Sequence, residues 1–173
     1  MLLSFPDSID KILDLGLSIE PKKIMDIGSG FGKMGLLFKE AIASQRSTAD
    51  NLNPDLSDII IDSCENAEYF HNVGWIKEIY RNCYTCSCFD ISKEELNKYD
   101  LILLIDVIEH WTKEEYEKFI DGITTNILIS TPKDIGEDKV LHYGFEAHKT
   151  QFKLEDFKYK HSREAQASHI VLI

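Results

Sequence analysis

The chain has 173 residues, of which 43% are hydrophobic and 28% charged, and its formal net charge is −11. This length suits one α/β domain with one full core, so we predict a single domain over residues 1–173. Lysine and arginine are scattered along the chain, which argues against nucleic acid as the main partner because phosphate binding depends on basic side chains.

Two further features of the composition concern location. No apolar run approaches the roughly 20 residues needed to cross a bilayer, and the amino-terminal apolar stretch is too short for a secretory signal. The four cysteines are few and lie close together in the sequence, which suits a reducing compartment. We therefore expect a cytoplasmic protein that is not bound to a membrane.

The first predicted elements are a helix over residues 6–16, a short buried strand over 24–27, and a second helix that ends near residue 44. Glycines stand at alternate positions between the strand and the second helix (Gly28, Gly30, Gly32). Such a turn directs backbone N–H groups and the positive end of a helix at the top of a sheet. Glycine permits the tight bend and the close approach of a ligand, so a ligand site is predicted here.

The middle of the chain alternates short strands and helices after a polar loop over residues 45–58. A second strand is predicted at Ile59–Ile61, and a third near Cys83–Cys88. Between them lies a helical segment over residues 70–79, interrupted near Gly74. Ser92, with Glu95 three residues later, has the pattern of a capping box that opens a short helix to about Lys98.

The last third begins with Leu101–Ile105, an unbroken apolar run that suits a central parallel strand. Thr112 and Glu115 predict a second capping box and helix. The remaining predictions are a fifth strand at Ile127–Ile129, a long loop from Lys133 to Gln151, a short helix at Leu154–Phe157, strands near Lys158–His161 and His169–Ile173, and a hairpin turn at Glu164–Ala167. Alternation of strands and helices followed by a hairpin predicts a doubly wound α/β sheet, mostly parallel, with one antiparallel strand.

The glycine spacing separates two classes of nucleotide site. A dinucleotide fingerprint has glycines at positions one, three and six, but position six counted from Gly28 is Lys33. A nicotinamide oxidoreductase is therefore disfavoured. Asp26–Gly32 instead resembles the first motif of class I S-adenosylmethionine (SAM)-dependent methyltransferases. Leu104–His110 and Ile127–Pro132 resemble the segments that this family has after its fourth strand and in its fifth.

The resemblance covers nearly the whole chain and implies a Rossmann-like three-layer sandwich with a seven-stranded sheet. It also implies SAM as the cofactor and places the cofactor site on matching positions. These positions are Asp26 and the turn residues Gly28, Ser29, Gly30 and Gly32, then Glu65, Asp90, Ile91, Asp106 and Val107.

The acids at the strand ends have separate expected roles. In an open α/β sheet the ligand lies across the carboxyl ends of the strands. Glu65, just past the second strand, is expected to accept hydrogen bonds from the ribose hydroxyls, and Asp62 is the alternative acid. The resemblance places Asp90 at the adenine amino group, Asp106 near the methionine part, and Asp26 near the amino-acid end, often indirectly. Each acid has a plainer alternative role as a cap.

Methyl transfer requires alignment of nucleophile, methyl and sulfur, and a base only when the acceptor must lose a proton. His110 and His148 are the candidate bases, and an exposed or capping histidine is the alternative for each. Trp111 and Tyr143 are weaker candidates for lining an acceptor pocket. The cysteines at 83, 86 and 88 lack a second ligand pair, so we interpret them as buried thiols of the third strand and predict no metal site.

The acceptor is predicted to be the oxygen or nitrogen of a small molecule. Neither Pro-Cys nor an Asp/Asn-Pro-Pro-aromatic motif is present. Motifs of these two kinds resemble those of methyltransferases that act on nucleic-acid bases, so their absence argues against such a base as the acceptor. Since we expect no added substrate domain, an alternative is a methyltransferase-like subunit that binds the cofactor and acts with a protein partner.

Overall fold

A computed structural model describes residues 6–134 and 148–173. Its helices are α1 (Pro6–Leu17), α2 (Lys33–Arg46), α3 (Glu68–His71), α4 (Ile76–Ile79), α5 (Lys93–Leu96) and α6 (Lys113–Ile120). Its strands are β1 (Lys23–Ile27), β2 (Ile60–Cys64), β3 (Cys83–Tyr84), β4 (Leu101–Ile105), β5 (Asn126–Pro132), β6 (His161–Glu164) and β7 (Ser168–Leu172). Short 3₁₀ turns lie at Cys88–Asp90, Ile108–His110 and Leu154–Asp156. None of the described helices is long and apolar enough to cross a membrane.

The strands form one seven-stranded sheet in the order β3-β2-β1-β4-β5-β7-β6. β1 pairs in parallel with β2 and with β4, and β7 pairs antiparallel with both β5 and β6. The prediction of a doubly wound, mostly parallel sheet with one antiparallel strand is confirmed. Because Ile27 at the end of β1 lies beside Cys64 of β2 and Leu104 of β4, the carboxyl ends of these strands meet at one edge of the sheet.

Two hydrophobic clusters cover the two faces of the sheet. Leu101 and Leu103 of β4 belong to one cluster, with Phe38 of α2. Ile102 and Leu104 belong to the other, with Phe119 of α6. Alternate residues of β4 thus enter different clusters, which explains why this strand is apolar at every position.

The second strand is longer than predicted and includes polar residues. It extends through Asp62 and Ser63 to Cys64, whereas Ile61 was the predicted end. Asp62 and Ser63 are both 0% exposed. Buried polar groups are tolerated within a strand when they are hydrogen-bonded, and the Asp62 carboxylate accepts bonds from Arg81 and Tyr99.

The third strand is shorter than predicted, so its cysteines do not share a strand face. It ends at Tyr84, and the Ser87 hydroxyl then accepts a hydrogen bond from Phe89 N at the start of a 3₁₀ turn. Such local side-chain bonds compete with strand pairing. Cys86 and Cys88 therefore lie beyond the strand and are half-buried, and all four cysteines are free thiols.

Other boundaries differ by a few residues. α1 continues one residue past Gly16, and α2 continues to Arg46, which bonds Asp58. The strand predicted near Lys158–His161 is wrong in position, since β6 begins at His161. An exposed edge strand carries no apolar alternation that would reveal its position in the sequence. Most of the predicted loop over residues 133–151, including Tyr143, lies outside the described residues.

Candidate functional site

The glycine turn between β1 and α2 has a backbone that favours glycine at each of its three positions. The φ angles of Gly28, Gly30 and Gly32 are 70°, 51° and 82°, all in the left-handed region that L side chains rarely adopt. The Gly28 N–H donates to the Cys64 carbonyl oxygen at 2.8 Å, which ties the turn to the end of β2. The predicted strand–turn–helix unit is confirmed.

Space for a ligand lies beside Gly30. A Cβ atom added at Gly30 would meet no heavy atom within 4 Å, so the backbone faces open space. Next to it, the buried Ser29 hydroxyl has no hydrogen-bond partner among the described residues. A polar ligand that touches the turn backbone fits this arrangement, since buried polar atoms are ordinarily bonded.

Asp26 supports the turn from within the protein. Its carboxylate is 2% exposed and accepts hydrogen bonds from Gly35 N at 3.2 Å and from the Tyr80 hydroxyl at 2.5 Å. Burial raises the pKa of Asp26 from 3.8 to about 7, although the two hydrogen bonds oppose this shift. Asp26 therefore joins β1 to the first turn of α2, and its indirect role in holding a cofactor stays a prediction.

Asp26→Asn is expected to reduce the loss of stability between about pH 4 and pH 7. The raised pKa means that the folded protein keeps a proton that the unfolded chain releases near pH 4. The wild type therefore becomes less stable as pH rises through this window. Asparagine accepts the same hydrogen bonds without ionising. Urea unfolding at pH 4.5 and pH 7 measures this difference. Between these pH values the unfolding free energy of the wild type should fall by about 3 kcal/mol more than that of the variant.

The control is Asp10→Asn, since Asp10 is exposed on α1. Its change in unfolding free energy between the two pH values should equal that of the wild type. A pH profile of Asp26→Asn that runs parallel to the wild type would contradict the assignment.

Asp62 and Glu65, the two acids near the end of β2, have side chains in different surroundings. Glu65 follows β2 and accepts hydrogen bonds from Gly30 N and from Ala67 N, each at 3.0 Å. Its carboxylate thus lies at the glycine turn. Asp62 is fully buried inside β2, bonded to Arg81, Asn82 and Tyr99. Of the two alternatives, only Glu65 lies where a ligand of the turn could reach it.

Asp90 and Ile91 follow β3, where Asp90 ends a 3₁₀ turn and Ile91 comes directly after it. Asp90 is exposed, and Ile91 is half-buried against the second hydrophobic cluster. Asp106 and Val107 follow β4. Val107 contacts Gly28, because a Cβ added at Gly28 would lie 2.5 Å from Val107 Cγ2. The segments after β1 and β4 are therefore in direct contact.

Asp106 has a φ of 56°, in the left-handed region where a non-glycine residue is uncommon. Its N–H donates to the Ser130 carbonyl oxygen at 2.9 Å, which holds this backbone against β5. Backbone strain of this kind is concentrated at functional sites. The strained residue lies between the end of β4 and the 3₁₀ turn at Ile108–His110.

Both predicted histidines lie at this edge of the sheet and contact each other. The ring centroids of His110 and His148 are 5.1 Å apart, with the rings edge to face. A carboxylate oxygen of Glu109 joins them, so that the three potential ligand atoms lie within 4.8 Å of one another. The two candidate bases are thus neighbours, although they are distant in the sequence.

Glu109 is 1% exposed, and its electrostatics are set by burial. Burial, together with the nearby Asp106 charge, raises the pKa of Glu109 from 4.5 to about 8. The Thr131 hydroxyl donates to its carboxylate at 3.4 Å. Burial also lowers the pKa of His148, which favours the neutral imidazole. Glu109, His110 and His148 therefore form a cluster of titratable side chains from which water is partly excluded.

Sequence reasoning did not single out Glu109, Thr131 or Tyr80. Glu109 stands in the motif Leu104–His110, and its spacing from Asp106 and His110 was the available signal. Thr131 and Tyr80 have no local signal, because their roles arise from contacts across the sheet. Trp111 is 8% exposed and packs on Phe119, so it belongs to the core rather than to an open pocket.

No protein-family model matches this chain, and no curated protein matches it. Comparison with solved structures does find similar folds.

The chain resembles magnesium protoporphyrin IX methyltransferase (ChlM) of Synechocystis PCC 6803, solved with bound SAM, with a TM-score of 0.61 and 13% identity over 95% of this chain and 76% of that one. It resembles mitomycin 7-O-methyltransferase MmcR with a TM-score of 0.62 and 12% identity over 95% of this chain and 53% of that one. It resembles an O-methyltransferase family protein of Burkholderia thailandensis with a TM-score of 0.60 and 9% identity over 95% and 54%.

These similarities establish the fold. The chain has the class I SAM-dependent methyltransferase fold, as the motif resemblance implied. It spans about half the length of two of the three proteins compared.

Proposed function

We propose that this protein is a SAM-dependent methyltransferase that transfers a methyl group to an oxygen or nitrogen of a small-molecule acceptor. The observation that carries the proposal is the glycine turn with Glu65 bonded to Gly30 N at its side. This turn lies at the carboxyl edge of the sheet, where ligands of open α/β folds bind. When bound, SAM supplies an electrophilic methyl group on a sulfonium.

The residues at the sheet edge divide the work of holding the cofactor. Glu65 would accept hydrogen bonds from the ribose hydroxyls, and the open backbone at Gly30 would allow close approach. Asp106 would face the cationic amino-acid and sulfonium end, and Asp90 the adenine amino group. Asp26 would act indirectly by keeping the start of α2 in place. An acidic rim favours a ligand that carries an ammonium and a sulfonium.

The small-molecule acceptor is inferred from charge and from the position of the proton-binding groups. A net charge of −11 opposes the approach of a polyanion such as nucleic acid. Glu109, His110 and His148 form a cluster, and the Asp106 charge acts on two of its members, Glu109 and His148. One of the histidines would take the proton of an O–H or N–H acceptor. Cytoplasmic location and a requirement for a protein partner remain separate proposals.

Isothermal titration calorimetry with SAM, S-adenosylhomocysteine and NAD⁺ tests the proposal. We expect one SAM site per chain with a dissociation constant in the micromolar range and no binding of NAD⁺. Methyl transfer to a panel of small hydroxyl and amine compounds is then measured by release of S-adenosylhomocysteine. Folded protein that binds neither SAM nor S-adenosylhomocysteine would contradict the proposal. Cofactor binding with turnover only after a partner protein is added would favour the partner-subunit alternative.

A further inference from the structure

Three side chains with metal-ligand chemistry meet beside the end of β4. Glu109 and His110 come from the 3₁₀ turn after this strand, and His148 comes from the segment that follows the undescribed residues 135–147. We propose that Glu109, His110 and His148 form a binding site for one divalent transition-metal ion. The proposal adds an ion to a site for which the sequence predicted none.

The distances suit a shared ion. Two ligands that each lie about 2.0–2.2 Å from one ion can be at most about 4.4 Å apart. The three ligand atoms lie within 4.8 Å of one another, so small rotations of the side chains bring all three to bonding distance. His110 and His148 are half-buried and Glu109 is buried, which leaves the histidine side of the cluster open to an entering ion or substrate.

The donor set selects the class of ion. Two imidazole nitrogens and one carboxylate suit zinc, manganese, iron or cobalt, whereas magnesium and calcium prefer oxygen ligands throughout. Three protein ligands also leave coordination positions open, as catalytic metal sites do. The cluster is therefore of the kind that binds a transition-metal ion together with a substrate atom or water.

Hydrogen bonds around the cluster hold the ligands in place. The Glu109 carbonyl oxygen accepts from Lys149 N at 2.7 Å and from Thr150 N at 3.2 Å, so the chain next to His148 is bound directly to the turn that carries the other two ligands. The Thr131 hydroxyl donates to the Glu109 carboxylate. Outer contacts of this kind orient metal ligands.

The charges of the cluster also favour a cation. Glu109 is buried near the carboxylate of Asp106, and each negative charge disfavours the other. A divalent ion at Glu109 would offset both the burial of the carboxylate and this repulsion. Asp106 itself lies close enough to act electrostatically on both Glu109 and His148.

The role of the ion rests on the proposed function. An alcohol or phenol acceptor whose oxygen binds the ion would release its proton to solvent near neutral pH, because a divalent metal lowers the pKa of a bound hydroxyl. The acceptor oxygen then donates an electron pair to form the O–CH₃ bond. The S–CH₃ bond breaks towards sulfur, so the sulfonium becomes a neutral thioether. The histidines act as ligands in this scheme, and the substrate class narrows to hydroxyl compounds.

Manganese binding to the protein without cofactor tests the site. Mn²⁺ is the suitable probe because the four free cysteines would compete for Zn²⁺, which thiolates prefer. Protein without a histidine tag is titrated with Mn²⁺, and free Mn²⁺ is measured by electron paramagnetic resonance. We expect one ion per chain, and Mg²⁺ should bind at least about tenfold more weakly.

Glu109→Gln and His148→Ala should each weaken Mn²⁺ binding roughly 100-fold or more, since each removes a direct ligand. Glutamine keeps the shape of Glu109 and can still accept from Thr131. The matched control is His161→Ala, because His161 is exposed on β6. It should bind Mn²⁺ as the wild type does.

Absence of Mn²⁺ binding by the wild type, or equal binding by Glu109→Gln, His148→Ala and His161→Ala, would overturn the site. Equal affinities for Mg²⁺ and Mn²⁺ would overturn the transition-metal assignment. Because these titrations contain no SAM, their failure is distinguishable from failure of the proposed function. SAM binding in calorimetry remains the separate test of the latter.

Discussion

Gly30→Val is expected to abolish SAM binding, with an affinity at least 100-fold below that of the wild type. No heavy atom lies within 4 Å of a Cβ at Gly30, so the valine side chain would project into the space assigned to the cofactor. The φ of 51° adds strain for a β-branched residue, and strain of this kind costs about 1–3 kcal/mol. Calorimetry with SAM measures the first effect and thermal unfolding the second.

Gly122→Val is the matched control. Gly122 also has a positive φ, of 77°, and is exposed after α6, with Lys93 Cγ at 3.7 Å as the neighbour of an added Cβ. It should lose similar stability and retain full SAM affinity. If folded Gly30→Val binds SAM as tightly as Gly122→Val does, the glycine turn is not the cofactor site.

The central part of the sheet could be predicted because its physical causes are local. Leu101–Ile105 is apolar at every position because helical layers cover both faces of β4. The alternate glycines at 28, 30 and 32 predict a turn, and its left-handed φ angles are ones that only glycine adopts readily. The capping box of Thr112 and Glu115 is likewise a local pattern, and both of its hydrogen bonds are present.

The candidate site could be predicted only in part, because its assembly depends on contacts between distant segments. His148 reaches Glu109 through backbone hydrogen bonds that the adjoining residues donate to the Glu109 carbonyl oxygen. No periodicity encodes such a contact. The predicted position of the edge strand β6 is wrong for a related reason, since its exposed residues carry no apolar pattern.

The choice between Asp62 and Glu65 shows the same limit. Both acids stand near the end of an apolar run, and the sequence favours Glu65 only because Asp62 comes early enough to belong to the strand. The partners of Asp62 come from Arg81 and Tyr99, well downstream in the chain. Only the folded sheet shows that Asp62 is committed to internal contacts and that Glu65 faces the glycine turn.

Asp62→Ala is therefore expected to lower mainly the stability of the fold, and Glu65→Ala mainly the affinity for SAM. Asp62→Ala leaves the buried Tyr99 hydroxyl and the Asn82 N–H without their acceptor, which should cost about 3 kcal/mol of unfolding free energy. In a chain of this size that lowers the melting temperature by about 6–12 °C. SAM affinity of the folded fraction should be unchanged, because the Asp62 side chain is fully enclosed.

Glu65→Ala should instead weaken SAM binding about 100-fold, since a carboxylate that accepts from two ribose hydroxyls contributes about 1.5 kcal/mol or more through each bond. Its unfolding free energy should fall by only about 1 kcal/mol, because the lost bonds to Gly30 and Ala67 are at a half-buried position. Glu68→Ala, at an exposed position of α3, is the control for both measurements. Reversal of the two effects, with Asp62→Ala losing affinity and Glu65→Ala losing stability, would move the ribose contact to Asp62.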